Sequence, residues 1–337
     1  MSPELQSLLR DTSRSFYLTL RILPASVRPQ IGLAYLLART TDTIADTDLV
    51  PVADRVATLT ALARRIDGTL QAPLDLQTVL DASVQSASPA ERRLLERTES
   101  ALRLLATLSA ADLADVRAVL ATITSGQILD LERFANAKPA QPVALQSAAE
   151  LDDYTYRVAG CVGEFWTRMT RRQCFPGVRL DDARFLENGI RFGKGLQLVN
   201  ILRDLPRDLR QGRCYLPAPE LASVGLQPSD LLDPHRESQL RPVYDRWRDR
   251  AEESLAAGWD YTLTLPPNQR RLRLACAWPI LIGGRTLAGL RVGRILDPEV
   301  RIKVPRSEVR SLLLGTLWRL PFRTAWEGQW SRSLQTR

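Results

Sequence analysis

Two pairs of aspartates, each pair spaced four residues apart, are the most chemically informative feature of this 337-residue chain. Each pair ends a series of polar residues separated by steps of three or four: Tyr35, Arg39, Asp42 and Asp46 in one segment, and Gln197, Asn200, Asp204 and Asp208 in the other. Such steps keep side chains on one face of an α-helix. Because the residues between them are largely apolar, the sequence predicts two mostly buried helices, each with one polar face.

The paired carboxylates favour a site for metal ions and a diphosphate group. A single Asp-x-x-x-Asp pair is more typical of a solvated helix edge or an intrahelical salt bridge. Two matched series shift that balance, since Mg²⁺ is usually held by one or two carboxylates together with substrate phosphates. Two such helices are therefore expected to hold Mg²⁺ ions against a diphosphate.

The rest of the chain predicts an all-α protein in which helices position these two series. The length and the 45% hydrophobic content provide for a large core. Three-and-four spacing of apolar residues predicts helices over residues 56–70, 92–108 and 113–131. The proline-containing connectors at residues 138–142, 217–234 and 264–268 do not resemble interdomain linkers. A single domain is the simplest interpretation.

Charge and composition argue against several function classes. The net charge is +8, and arginine, which binds phosphate oxygens well, supplies almost all of the 46 basic residues. The base composition of the genome explains this abundance equally well. The arginines are scattered, so nucleic-acid binding is not indicated. With His235 as the only histidine, a histidine-based zinc site or a Ser-His-Asp relay is not expected, and the glycine motifs of dinucleotide- and nucleotide-binding folds are absent.

The cysteines and the apolar segments predict a reducing compartment and no membrane span. Cys161, Cys174, Cys214 and Cys276 form no C-x-x-C motif and are expected to be buried or incidental thiols. The sequence has no signal-peptide pattern, and the apolar stretch between residues 273 and 285 is too short to cross a bilayer. We therefore expect a cytoplasmic protein, either free or peripheral at the inner face of the membrane.

Four ordered segments resemble the squalene and phytoene synthase family. They are Thr-Ser-Arg-Ser-Phe at residues 12–16, the aspartate segment at 35–46, the segment 154–163 with Tyr154, Gly160 and Gly163, and the segment 197–217. Residues 276–279 and 300–303 resemble later family segments. The version Asp-Thr-Ile-Ala-Asp at 42–46 is more similar to squalene synthases than to phytoene synthases, whose first motif commonly begins Asp-Glu. The resemblance implies an all-α isoprenoid (terpenoid) synthase fold with a central cavity, formed by one domain over residues 1–337.

The resemblance also implies an activity, with two alternatives. A squalene synthase condenses two farnesyl diphosphates head to head through presqualene diphosphate, and reduction by NADPH gives squalene, a sterol or hopanoid precursor. A relative that makes phytoene or dehydrosqualene uses no nicotinamide. A noncatalytic scaffold or assembly protein of the same fold is the alternative from another class, and the two intact aspartate pairs argue against it.

Residue roles follow from the same resemblance. Tyr154 is the expected catalytic group for the proton loss that closes the cyclopropane. A tyrosine without this motif context more often serves the core, but Gly160 and Gly163 at the family spacing favour the functional role. The Mg²⁺ ligands would be Asp42, Asp46, Asn200, Asp204 and Asp208. The substrate contacts would be Ser13, Arg14, Tyr35, Arg39, Gln197, Asn200 and Arg213. NADPH would be bound by Arg14, Arg39, Arg203, Arg301 and Lys303.

Three residues depart from the family pattern. Ala45 and Arg207 stand where many relatives have acidic residues. Pro206 has no N–H and, within a helix, clashes with the carbonyl of Leu202. The helix is therefore expected to kink or stop between Asp204 and Asp208.

The C-terminal segment, residues 311–337, is expected either to lie on a membrane surface or to pack on the core. Trp318, Phe322, Trp326 and Trp330 follow one another at intervals of four. A continuous helix would gather these aromatic rings on one face, as interfacial helices do. Pro321 would disturb that helix.

Overall fold

The computed structural model describes residues 3–13, 16–86 and 88–335, and within them the chain is predominantly helical. The helices of the first part of the chain are α1 (Pro3–Ser13), α2 (Phe16–Ile22), α3 (Arg28–Ala45), α4 (Val52–Asp67), α5 (Gln77–Ser86), α6 (Pro89–Glu96), α7 (Thr98–Leu105) and α8 (Ala110–Arg133). They are followed by strand β1 (Val143–Leu145), helix α9 (Ala148–Thr155), a π-helical turn (Tyr156–Gly160) and α10 (Cys161–Cys174). The second half contains α11 (Asp182–Arg210), strand β2 (Arg213–Pro217), α12 (Ala218–Ala222), α13 (Glu237–Thr264), α14 (Arg270–Val292), α15 (Arg306–Arg319), α16 (Arg323–Glu327) and α17 (Gln329–Ser333).

The contacts within the chain define two compact units. Unit 1 comprises residues 1–135 and 165–177, and unit 2 comprises residues 136–164 and 178–337. In unit 1, α3 packs against α4 and α8, and its buried face includes Leu36 and Leu37. In unit 2, the long helices α11 and α13 pack on each other and on α14. The organisation as one domain stays a prediction.

The predicted helices are largely confirmed, with differences at their ends. α4 covers the predicted 56–70 but ends at Asp67, and α8 covers all of 113–131. The segment 92–108 contains two helices, because α6 ends at Glu96 and α7 begins at Thr98. The only strands in the described part of the chain are β1 and β2, which pair in parallel, with Val143 opposite Arg213.

Pro206 lies inside α11, which continues to Arg210, so a helix stop at this position is wrong. Proline leaves the carbonyl oxygen of Leu202, four residues earlier, without its usual backbone donor. The hydroxyl of Tyr244 in α13 donates to this oxygen at 3.0 Å, and Tyr244 is fully buried. A side chain from the neighbouring helix therefore replaces the missing N–H, and Asp204 and Asp208 remain on one helix.

The C-terminal segment is not one helix. It turns at Pro321 between α15 and α16, so the expected common face of aromatic rings is wrong. Trp326 is 1% exposed and its ring lies 5.4 Å from that of Trp259, whereas Trp318 and Phe322 are 77% and 56% exposed. One indole thus packs on the core and two rings face solvent, and contact of the segment with a membrane surface stays a prediction.

All four cysteines are free, and three of them are buried, as expected. None of the described helices combines the length and the apolarity needed to cross a bilayer.

Candidate active site

The first aspartate series lies on α3, as predicted. Tyr35, Arg39 and Asp42 are in the helix, and Asp46 is the residue at its C-terminal end, where its N–H donates to the carbonyl oxygen of Asp42 at 2.8 Å. The intervening leucines are buried in unit 1. The packing of that apolar face fixes the rotation of α3 and therefore the position of its polar face.

Asp42 has the most perturbed carboxylate of this helix. Burial raises its pKa to about 6; Arg39 opposes this shift, and the nearby Asp46 adds to it. The Nε2 of Gln127, which lies in α8, donates to Asp42 Oδ1 at 2.5 Å, and Arg39 Nη1 lies 3.4 Å from Oδ2. The side chain nevertheless keeps 44% of its surface exposed. Asp42 is therefore crowded by protein on one side and open on the other.

Arg39 is held in place by two carboxylates. One is Asp42, and the other is Glu91, which pairs with Arg39 Nη2. Glu91 also accepts the backbone N–H of Ser88 at 2.9 Å, as part of the capping box that begins α6. A residue that starts one helix thus orients a cation on another.

Two predicted substrate contacts near α1 have protein partners of their own. The hydroxyl of Tyr35 donates to the carbonyl oxygen of Thr12 at 3.4 Å, and the buried Ser13 donates its hydroxyl to the carbonyl oxygen of Leu9. Arg14 lies outside the described residues. Their roles as substrate contacts stay predictions.

The second aspartate series lies on α11 in unit 2, again as predicted. Asp204 accepts two hydrogen bonds from its neighbour Arg203, at 2.9 Å from Nε and 2.5 Å from Nη2. Both side chains are 29% exposed. Asn200 is exposed, and Gln197 and Asp208 are half-buried on the same helix.

Tyr154, at the end of α9, is 9% exposed and stacks on Tyr215 of β2, with ring centroids 4.8 Å apart. Its hydroxyl donates to that of Tyr215 at 3.3 Å. The buried position agrees with both readings of Tyr154, as a core residue and as a proton-transfer group. Tyr215 was missed by the sequence reasoning, although it lies within the family segment 197–217.

The glycines that follow Tyr154 permit close helix packing. A Cβ at Gly163 would lie 1.9 Å from the carbonyl oxygen of Gly189, and one at Gly193 would lie 2.1 Å from that of Ala159. The backbones of α10 and of the π-helical turn therefore approach α11 directly. This contact fixes the segment that carries Tyr154 relative to the helix that carries Asp204.

The polar face of each helix, taken by itself, has donors that suit Mg²⁺. Carboxylate oxygens are the ligands this ion prefers. A bound cation would also stabilise the ionised form of Asp42, which burial disfavours. The Oε1 of Gln127, beside Asp42, is buried and has no hydrogen-bond partner among the described residues. Within those residues no group of three or more His, Cys, Asp or Glu side chains could hold a metal alone. Ligands from substrate phosphates would complete such a site, as is usual for Mg²⁺.

The fit to a nicotinamide cofactor is weaker. Arg39 and Arg203 already have carboxylate partners. Arg301 and Lys303 are exposed in the irregular segment between α14 and α15, and Arg213 is half-buried at the start of β2. The assignment of these residues to NADPH, like that of Arg213 to substrate, stays a prediction.

Comparison with known proteins supports the resemblance of the sequence segments. A family model described as squalene/phytoene synthase matches residues 9–308. A bifunctional lycopene cyclase/phytoene synthase of Colletotrichum graminicola is 28% identical over 300 residues, which are 89% of this chain and 48% of that protein. The chain thus spans about half the length of that relative. A 15-cis-phytoene synthase of Synechocystis is 28% identical over 273 residues, covering 80% of this chain and 68% of the relative.

The solved structure of TcSQS with the ligand E5700 has the same fold. The TM-score is 0.74 at 20% identity, and the alignment covers 98% of both chains. The predicted all-α isoprenoid synthase fold is confirmed.

Proposed function

Because this chain belongs to the squalene/phytoene synthase family, we propose that it is a prenyltransferase that condenses two prenyl diphosphates head to head. The observation that carries the proposal is Asp42: a desolvated, half-open carboxylate held by Gln127 on a helix whose polar face also presents Asp46. A solvated helix edge would not place a carboxylate against a buried amide. The matched series on α11 supports the same chemistry.

The aspartates of α3 and α11, with Asn200, would hold the Mg²⁺ ions. Bound there, Mg²⁺ would neutralise the charge that develops on the leaving diphosphate. Arg39, fixed by Glu91, would orient phosphate oxygens near Asp42. In this arrangement Asp42 and Asp46 would bind the cations, and Arg39 would bind the phosphate oxygens.

Tyr154 would relay the proton lost during cyclopropane formation to an oxygen of the diphosphate, its phenol taking up one proton as it gives up its own. Its phenol is buried, so it does not introduce bulk water beside a carbocation, and its hydroxyl has a phenolic neighbour in Tyr215. We propose that Tyr215 orients the Tyr154 hydroxyl through this hydrogen bond. Gln197 and Tyr35 would contact substrate from their respective helices.

For the product, we propose squalene formed from two farnesyl diphosphates with NADPH as reductant. The Asp-Thr-Ile-Ala-Asp form of the first motif supports this choice. The names of the relatives from Colletotrichum graminicola and Synechocystis, and the existing carboxylate partners of Arg39 and Arg203, favour phytoene or dehydrosqualene instead. This second candidate requires no nicotinamide.

Labelled farnesyl diphosphate and Mg²⁺, incubated with the protein in the presence and absence of NADPH, distinguish the two. For a squalene synthase, presqualene diphosphate should accumulate without NADPH and squalene should appear when NADPH is added. The same conjugated triene under both conditions would replace squalene by dehydrosqualene. No condensation, with farnesyl or with geranylgeranyl diphosphate, would leave the noncatalytic scaffold.

Tyr154→Phe tests the proton-transfer role. Formation of the first coupled product should fall at least about tenfold, the lower range for general acid–base catalysis, while diphosphate binding survives. Tyr156→Phe is the matched control. Tyr156 lies two residues after Tyr154, and its hydroxyl donates to Glu164 at 2.9 Å. If both variants formed the first coupled product at the same rate, Tyr154 would be a core residue without a role in proton transfer.

A further inference from the structure

A cavity of about 320 Å³ with arginines in its lining lies at the C-terminal end of unit 2, between residues of α14, α15, α17 and Gln335. It uses none of the residues assigned above to the condensation. Three arginines line it, Arg285, Arg319 and Arg332, and Glu308 is the one acidic residue of its lining. Its lining therefore has an excess of positive charge.

The three arginines differ in how they are satisfied. Arg285 pairs with Glu308, with its Nε 2.6 Å from Oε1, and it also donates to the carbonyl oxygen of Gln335. Neither Arg319 nor Arg332 forms an ion pair with any residue the structure describes. Two guanidinium groups at the cavity are thus available to an anion.

Gln329 provides an independent indication of a ligand. Its side chain is 6% exposed and lines the cavity, and its Nε2 has no hydrogen-bond partner in the described part of the chain. A buried amide donor without a hydrogen-bond partner is unfavourable. An anion in the cavity would accept from this amide and pair with both arginines.

The outer surface of α15 indicates where that anion comes from. Leu314 and Trp318, 68% and 77% exposed, follow the cavity-lining Ser311 by three and seven residues. These steps place them on the side of α15 that adjoins the cavity. Phe322 is 56% exposed just beyond the end of the helix. Exposed aromatic and aliphatic side chains beside arginines are typical of surfaces that bind anionic lipid.

We propose that this cavity binds the phosphate of an anionic phospholipid headgroup, with Leu314, Trp318 and Phe322 in contact with the lipid surface. The cavity exceeds what a lone phosphate needs and is of the size that small ligands occupy. The arginines supply the bidentate donors that suit phosphate oxygens, and Gln329 supplies a neutral one. The headgroup phosphate and the apolar side chains would then engage the same membrane surface.

Sedimentation of the full chain with vesicles tests the proposal. Vesicles of equimolar phosphatidylcholine and phosphatidylglycerol should bind the protein, and vesicles of phosphatidylcholine alone should bind it at least about tenfold more weakly. Arg319→Ala with Arg332→Ala should reduce binding at least about tenfold. Arg323→Ala is the control for the loss of one positive charge outside the cavity, because Arg323 is 90% exposed, pairs with Glu327 and does not line the cavity. If vesicle binding fell by the same factor for each arginine removed in both variants, binding would depend on net charge alone, and the proposed site would be overturned.

Gln329→Leu separates a built site from net charge. It removes the amide donor without changing the charge, so vesicle binding should fall about fivefold or more while Gln211→Leu, at an exposed glutamine, leaves it unchanged. Without lipid, Gln329→Leu should melt no lower than the parent, since the lost donor has no partner. Unchanged vesicle binding by Gln329→Leu, or a much lower melting temperature, would contradict the proposal. Calorimetry with glycerol 1-phosphate provides the last arm: strong binding of this soluble compound without vesicle binding would overturn the lipid as its source.

Discussion

The aspartates of α3 and α11 have the same spacing but different supports. Asp42 on α3 is held by Gln127, a neutral amide from another helix 85 residues away, and burial raises the pKa of Asp42 to about 6. Asp204 on α11 is held by Arg203, the preceding residue, which carries a full positive charge. Asp42 also pairs with Arg39 on its own helix, but its shorter hydrogen bond comes from another helix, whereas the donor to Asp204 is its immediate neighbour.

Two motifs with the same spacing can therefore have different environments. Gln127 orients Asp42 without adding charge, and the arginine beside Asp42, Arg39, lies at 3.4 Å and is shared with Glu91. The charge of Asp42 is therefore compensated less closely than that of Asp204, so a cation gains most there. At Asp204 the arginine already compensates the charge, and Mg²⁺ must compete with it or displace it. We therefore expect the site on α3 to depend on Gln127 and the site on α11 to depend on the contact with α13 that supports the helix at Pro206.

The largest effect should come from removing either carboxylate. Asp42→Asn and Asp204→Asn should each lower turnover of labelled farnesyl diphosphate at least about 100-fold, comparable to the loss of one group that stabilises transition-state charge. Asp54→Asn is the control for unit 1, because Asp54 is exposed in the first turn of α4. Near-normal turnover for Asp204→Asn beside an inactive Asp42→Asn would assign the metal to α3 alone. Near-normal turnover for both would remove the metal assignment.

The integrity of α11 around Pro206 should depend on Tyr244. Tyr244→Phe leaves the Leu202 carbonyl oxygen buried without a donor, which should cost about 2 kcal/mol in the free energy of unfolding. In a Pro206→Ala background the alanine N–H restores the backbone bond, so the same change should cost less than about 1 kcal/mol. Urea denaturation of the four proteins in a double-mutant cycle measures this coupling. Equal costs in both backgrounds would show that the phenol does not replace the missing N–H.

Gln127 should tune the metal requirement on α3. In Gln127→Leu the Mg²⁺ concentration for half-maximal turnover should rise about tenfold, as for other residues that orient metal ligands. Gln77→Leu is a matched control, since the amide of Gln77 donates to Asp81 at 2.8 Å on the surface. A similar Mg²⁺ requirement in Gln127→Leu and the parent would mean that the amide does not orient Asp42 for the metal.

The smallest effect concerns a buried aspartate of unit 1 that is fully supported by donors. Burial raises the pKa of Asp112, but hydrogen bonds from Arg172, Gln30 and Gln173 outweigh it, and the net pKa is lowered. A lowered pKa means that the stabilisation is present above the unfolded value near 3.8 and is lost as pH falls through the folded value. Asp112→Asn should therefore cost about 1 kcal/mol in the free energy of unfolding at pH 7. A cost that does not shrink at pH 3 would mean that the charge of Asp112 is not responsible.

The local pattern of the sequence predicted both aspartate helices correctly, because spacing of three and four depends only on helix geometry. The position of Arg203 directly beside Asp204 could likewise be read from the sequence. The roles of Gln127 and Glu91 could not be predicted from the sequence. Both contact α3 from other helices, and no local pattern around either residue indicates that contact. Tyr215 could have been found, because it lies in a segment already singled out.

The errors have physical causes too. Proline predicted a break in α11, but the local rule takes no account of a phenol from α13 that satisfies the orphaned carbonyl. In the C-terminal segment the interval of four described a helix that Pro321 interrupts, so Trp318 and Trp326 have opposite environments. Periodicity predicts a face only as long as the helix continues.

The π-helical turn at residues 156–160 sets an angular register along the chain. A π-helical turn holds one residue more than an α-helical turn, and one residue corresponds to about 100° of helix rotation. Deleting one residue from this turn would leave the length of the connection almost unchanged. It would instead turn Tyr154 away from Tyr215, or Gly163 away from Gly189, by about a quarter of a revolution. The extra residue thus works as a phase shift, and it lets one nearly continuous helical run present a tyrosine in one direction and a glycine contact in another.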